Sequence, residues 1–345
     1  MKIFLTTEIL QLIFLFQDEY PNLNKILYDK STLILDVDDV ELDSILDDSE
    51  NDITKVLLGY DLDHEAHKGI IDTFKNNAKS MMDIPRAMFF LDIDDDTAKK
   101  WRIQYGILVI STNNIDDSIF DKGVFRCRLD ASFLEGGSVQ SNWLKLLQGM
   151  EMLPSNSLVI SDSYLFSTSN VKIEDCIRNI EGLLDAVLPY TFDDTYHIVL
   201  FTEPISIDNK RIEQAMGDIK AFICSKRSYN IVLEAVFYKS LHQRKLISNY
   251  NVILFDKGIV ALKEKNNMSQ AVGTNYIQCS TIYENACNSL GQSDYDITTK
   301  DLQDLLGWYN ECKLLCNSKI KDTSKKILGT NNKDKTLNNR LMNCL

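Results

Sequence analysis

Between Ser157 and Phe255 the chain alternates short apolar runs with amphipathic stretches, and this alternation constrains the fold more than any other feature of the sequence. Ser157 to Phe166, Tyr196 to Phe201 and Ile231 to Tyr238 read as buried strands. The intervening segments carry apolar residues at helical spacing: Ile173, Ile177, Ile180, Leu184 and Leu188 in one, Ile212, Met216, Ile219 and Ile223 in the other. A further apolar run, Tyr250 to Phe255 with Gly258 to Leu262, gives a fourth strand or a short hairpin. The order β-α-β-α-β-loop-β calls for crossover helices, hence a partly parallel, mixed sheet flanked by helices on both faces. The fold class is α/β.

Around this segment the organisation is less regular. Leu33 to Leu35, Ala87 to Leu91 and Ile107 to Ser111 are strand-like runs among helical patches, so residues 1–150 read as a separate acidic α/β domain, with Pro154 as the boundary. The second domain spans 155–265. Residues 266–345 are polar with mostly helical spacing, best in Thr299 to Leu315, and read as a helical, basic C-terminal appendage: from Lys313 onward eight cations face two acids.

Charge narrows the functional classes. Fifty acidic against 37 basic residues leave a net charge of −13, so the molecule as a whole repels phosphate backbones and anionic headgroups. Any nucleic-acid site must be a local basic patch or the basic tail. The apolar start, Met1 to Phe16, is broken by Glu8 and Gln11 and reads as folded structure instead of a leader, and no run is long enough to span a membrane. A cytoplasmic location is the expectation. The eight dispersed cysteines contain no Cys-x-x-Cys pair; Cys312 and Cys316 are the one close pair, and free thiols are expected. Phosphate loops, dinucleotide glycine fingerprints, His-Glu-x-x-His and Gly-x-Ser-x-Gly are all missing.

Two acidic groups stand at strand ends, where α/β sheets bind ligands. The nine acids between Asp36 and Asp52 read as a solvated face; Asp92, Asp94, Asp95 and Asp96 follow an apolar run and precede a helical one. Asp36, Asp38, Asp92 and Asp94 could together hold Mg²⁺ or Mn²⁺ for nuclease chemistry, since hard cations need several converging oxygens. A capped helix start explains Asp94-Asp-Asp-Thr97 without any cofactor. His64 and His67 have the spacing of one helical face, but no third ligand accompanies them.

The segment Lys239 to Tyr250, between the third and fourth strands, carries the pattern His242-x-Arg244-x-x-x-x-Asn249. This resembles the His-x-Lys-x-x-x-x-Asp signature of the phospholipase D superfamily, and still more the non-catalytic branch typified by the MIT C-terminal domain, over about residues 155–265. The resemblance implies that His242 occupies the nucleophile position, Arg244 that of the lysine and Asn249 that of the aspartate. Arginine keeps a phosphate-binding fork, whereas asparagine carries no charge. The Gly-Ser pair that follows the signature in that family is absent, and one copy of the motif would need a homodimer for catalysis. What the resemblance implies is therefore a non-enzymatic recognition or adaptor component of a bacterial multi-protein system, of the kind found in defence operons, binding another protein or a phosphate-bearing ligand. Lys239, Arg244 and Lys245, with Lys226 and Arg227 closing the preceding helix, would supply a cationic patch, and Asp162 would orient His242. A phosphodiesterase or nuclease using a dimeric His242 site is the opposing expectation.

Overall fold

In the computed structural model the chain is described at all residues except 29–30, 131–135, 167–170, 205–207, 240–242, 267, 284–292, 318–324, 330–338 and 344–345, and the side chains of 316 and 317. It divides into two compact units, Met1–Lys122 with Leu153–Ser155, and Gly123–Met152 with Asn156–Leu345.

The first unit is a doubly wound parallel sheet. Its elements run β1 (Lys2–Leu5), α1 (Thr7–Leu15), α2 (Pro21–Tyr28), β2 (Thr32–Leu35), α3 (Asp39–Asp47), α4 (Asp52–Gly59), β3 (Asp63–Ala66), α5 (Ile70–Asn76), β4 (Met88–Leu91), α6 (Asp95–Tyr105) and β5 (Leu108–Ser111), with two short 3₁₀ turns. The strand order is β3-β2-β1-β4-β5, every pair parallel. Such strands are covered on both faces, which is why β4 and β5 are buried along their whole length and read as continuous apolar runs. Phe4 stacks on Phe89 at 5.0 Å and Phe74 meets both rings edge-on, fixing α5 against the sheet centre. His64 lies on β3, so it and His67 do not share a helical face; the imidazole Nδ1 of His64 is 2.7 Å from the Leu62 carbonyl oxygen.

The second unit contains β6 (Phe125–Leu129), α7 (Val139–Leu146), β7 (Ser157–Asp162), α8 (Ile173–Val187), β8 (Tyr196–Thr202), α9 (Asn209–Lys226), β9 (Ile231–Phe237), β10 (Arg244–Ile247), β11 (Asn251–Phe255), β12 (Leu262–Lys265), β13 (Met268–Ala271), β14 (Asn275–Thr281), α10 (Asp294–Asn317), β15 (Lys326–Gly329) and α11 (Arg340–Asn343). Eight strands form one mixed sheet in the order β15-β9-β8-β7-β10-β11-β14-β6. β7, β8 and β9 are parallel, joined by crossover helices α8 and α9, and every other pair is antiparallel. β12 and β13 form a separate hairpin.

Two expected boundaries move. The chain first passes between the units at Lys122 and Gly123, and near Pro154 only Leu153–Ser155 belong to the first unit, because β6 pairs with β14 and α7 packs on α8 within the second unit. Gly182 makes that helix contact close: a Cβ there would come within 2.8 Å of the Gln140 backbone. The segment from 266 is not a helical appendage, since β14 and β15 are strands of the main sheet. Both were hidden because a half-buried strand alternates polar with apolar residues, as β14 does. Gly258 to Ala261 is a loop, and the hairpin is β10 with β11.

Part of one face of the second sheet is covered by α10 and α11. Leu302, Leu305, Tyr309 and Cys312 of α10, with Leu341 and Met342, close over Val159, Val199, Val236, Ile247 and Val252. Asn339 anchors the terminal helix, its amide donating to the carbonyl of Leu158 at 2.9 Å. The opposite face carries α7 and α8, where Trp143 donates to Asn179 at 2.9 Å and Asn179 in turn accepts from the Leu262 backbone.

Candidate functional site

His242 lies outside the described residues, so its role as nucleophile stays an expectation. The residues around it are placed by β10. Arg244 pairs directly with Asp162 across the β10–β7 ladder, at the end of the parallel strands, and exposed Lys239 follows β9 at that same end. Asp162 is buried and accepts from the backbone N–H of Ile259 at 2.6 Å and of Tyr164 at 2.9 Å. Burial pushes its carboxyl above the usual aspartate range, against the two N–H donors and the Arg244 charge, which pull it down. Gly258 permits this clamp: at φ +99° it has no side chain, and a Cβ would lie 2.6 Å from Asp162 Oδ2. Asp162 thus ties the loop after β11 to the end of β7.

The expected cationic patch is dispersed. Successive residues of a strand face opposite sides, so Arg244 and Lys245 part company. The Arg244 guanidinium donates to the Asp256 carbonyl at 2.7 Å, while Lys245 pairs with Asp301 of α10 on the other face. Lys226 and Arg227 lie at the opposite end of the parallel strands, beside the start of β9, and both pair with Asp185. Arg227 is buried and also donates to the Asp185 carbonyl at 2.6 Å, so it braces α9 against α8 and offers no charge to a ligand. Asn249 is fully buried beyond the far end of the four-residue β10, accepting from Asn156 N–H at 3.1 Å. At about 13 Å of strand length it cannot bind the same phosphate group as Arg244.

The acids of the first unit act as local caps. Asp38 caps α3 through Glu41 N–H at 2.9 Å and pairs with Lys68, whose ammonium holds its carboxyl below the usual range. Asp94 caps α6, accepting from Thr97 N–H and hydroxyl, and these bonds lower its carboxyl in the same way. Asp36 accepts from Gly69 N–H and from Ile71 N–H at 3.1 Å, at the start of α5, and Asp92 points outward near Lys75 at 3.8 Å. Among the described residues, no three His, Cys, Asp or Glu side chains converge as a metal site. The Mg²⁺ or Mn²⁺ expectation finds no ligand set there. Described cysteines 127, 176, 224, 279 and 312 are free, and burial raises the Cys127 thiol to about 11 and the Cys176 thiol to about 12.

The described part of the basic tail packs on its own unit. Lys325 pairs with Glu311 at 2.8 Å, Lys326 donates to Asn209 at 2.6 Å and lies over the Phe237 ring, and Arg340 reaches Asp194 at 3.2 Å.

What single-sequence reading missed is an open surface. Beyond the Lys245–Asp301 pair, part of the antiparallel half of this face, at Leu254 and Tyr276, is exposed. The register assembles a ladder there: Lys245, Leu254, Gln278 and Arg126 in one row, with Gln243, Asp256, Tyr276 and Arg128 beside it. Leu254 and Tyr276 are 42% and 54% exposed, and both arginines of β6 are exposed. A groove of about 500 Å³ opens over Gln243, Lys245, Leu254, Asp256, Tyr276 and Gln278 of this ladder, with Arg244 and Phe255 completing its lining and the β6 arginines outside it. The alternation Phe125-Arg-Cys-Arg-Leu129 was the available signal.

The chain matches no family model and no curated protein. Among the described residues, no helix is long and apolar enough to cross a membrane.

Proposed function

We propose that the chain is a non-catalytic recognition component, whose second unit is a degenerate phospholipase D-like domain that grips a ligand on the open antiparallel half of its sheet. One observation carries this reading: a groove of about 500 Å³ bearing exposed Tyr276 and Leu254 lies beside the motif segment, while the charges expected of a phosphotransfer centre are engaged by the fold. Asp162 is bound by two backbone N–H groups, Arg244 by a carbonyl and Lys245 by Asp301. The β-α-β-α-β order of β7 to β9 agrees with the expected domain type. Leu254 and Tyr276, exposed on neighbouring strands and flanked by polar side chains, supply the apolar contact that a recognition surface needs.

The test joins an activity assay to a binding assay. The protein is incubated with single- and double-stranded nucleic acid in EDTA and in Mn²⁺, and material retained from the native host is compared between wild type and Leu254→Asp. No cleavage in either condition, with a retained component lost in the variant, is the expected result. Cleavage abolished by His242→Ala overturns the reading.

A further inference from the structure

The open face has a chemistry of its own, and from it we infer that the ligand is single-stranded nucleic acid, bound across β10, β11, β14 and β6. This deepens the recognition reading and rests on it.

Three features of the ladder lead there. The first is an exposed ring with a guanidinium over it: Tyr276 presents more than half of its surface, and Arg128 sits 5.8 Å from its centroid. An exposed aromatic beside cations is a platform for unstacked bases, because every base has a π-face and every linkage a phosphate. The second is charge. In a protein of net charge −13, Arg126 and Arg128 stand together on one strand of an exposed face. Arg126 has no ion-pair partner among the described residues, and Arg128 shares Asp130 at 3.0 Å. A polyanion repelled elsewhere is met here by guanidinium groups. The third is a pair of groups suited to base edges that line the groove: the amide of Gln278 and the carboxylate of Asp256. Asp and Gln side chains at such positions read exocyclic amines and ring nitrogens.

Scale favours a single strand. Four strands about 4.8 Å apart give a face roughly 14 Å across, enough for a short run of splayed nucleotides. A regular duplex hides its base faces from Tyr276 and would bring a second backbone toward an acidic molecule. An acidic peptide would satisfy the arginines and leave the ring face and Leu254 without a flat partner.

The experiment is fluorescence anisotropy on the full chain at low salt, with a labelled 15-nucleotide single strand as DNA and as RNA, the matching duplex, and a labelled poly-glutamate peptide. Single strands are expected to bind more tightly than the duplex. Tyr276→Ala should weaken binding roughly 5- to 100-fold, with Tyr276→Phe retaining it. The double reversal Arg126→Glu, Arg128→Glu should weaken it at least tenfold and reduce the salt slope by about 1.4, the value for two phosphates of a single strand. All three side chains are exposed, and circular dichroism melts check that the variants stay folded. Wild-type protein that binds no single strand, or binding indifferent to these substitutions, overturns the inference. Peptide binding that depends on the same residues also overturns it and leaves the recognition reading standing. If neither probe binds and Leu254→Asp retains everything that wild type retains from the host, both readings fall.

Discussion

The two units place polar side chains at strand ends in different ways. In the first, Asp38 and Asp94 accept from N–H groups three residues ahead and stay exposed. In the second, Asp162 and Asn249 accept from N–H groups 97 and 93 residues away and are buried. The lesson concerns sequence motifs. The caps at Asp38 and Asp94 are complete within one turn, although Asp36 of the same acidic run reaches across to the start of α5. The described polar residues near the second unit's motif, Asp162 and Asn249, are held by long-range clamps, so their roles there are set by partners far away in the chain.

The largest effect expected from this contrast is on Asp162. Asp162→Ala strands the buried Ile259 N–H, worth on the order of 1–3 kcal/mol, and the part-buried Tyr164 N–H, worth less, so denaturant unfolding should show a loss of about 2–4 kcal/mol. A loss no larger than that of a surface cap would erase the distinction between the units.

A second expected effect is pH-dependent. His197 of β8 has a buried Nδ1 without a partner among the described residues, and burial, reinforced by Arg340, pulls its imidazole down to about 4. The unfolded chain titrates near the ordinary value, so the stabilisation from the neutral ring is complete above about pH 6.5 and is lost as pH falls through 6.5 toward 4. Wild type should therefore lose on the order of 1–2 kcal/mol more than His197→Gln between pH 7 and pH 5. Parallel curves for the two proteins would place that ring in water.

Smaller effects belong to the first unit. Asp94→Ala removes a helix cap and should cost about 1 kcal/mol in thermal or urea unfolding. Asp92→Ala should lie within about 0.5 kcal/mol of wild type and should leave Mn²⁺ without influence on the melting temperature. A Mn²⁺-dependent stabilisation lost in Asp92→Ala would restore the metal expectation and make the two units alike.

Fully buried segments were the most legible. The strands and helices of β7 to β9 follow from their apolar runs and helical spacing, because a parallel strand covered on both faces writes its burial into every residue. β6, β14 and β15 were not legible as sheet members, since their alternating or short patterns match several structures equally well. Of the expected site, Lys239 and Arg244 share one end of the sheet with Asp162, while Lys226, Arg227 and Asn249 are elsewhere.

The sequence by itself determined the α/β class, the acidic character, the free thiols expected of dispersed cysteines and the local cap at Asp94, because these depend on periodicity, composition and neighbours within one turn. Only the tertiary structure decided that Arg244 and Lys245 face opposite ways, that Asp162 holds the Gly258 loop, and that Tyr276 stands beside Arg128 on an uncovered face. Strand register sets these relations, and register arises from pairing between segments far apart in the chain.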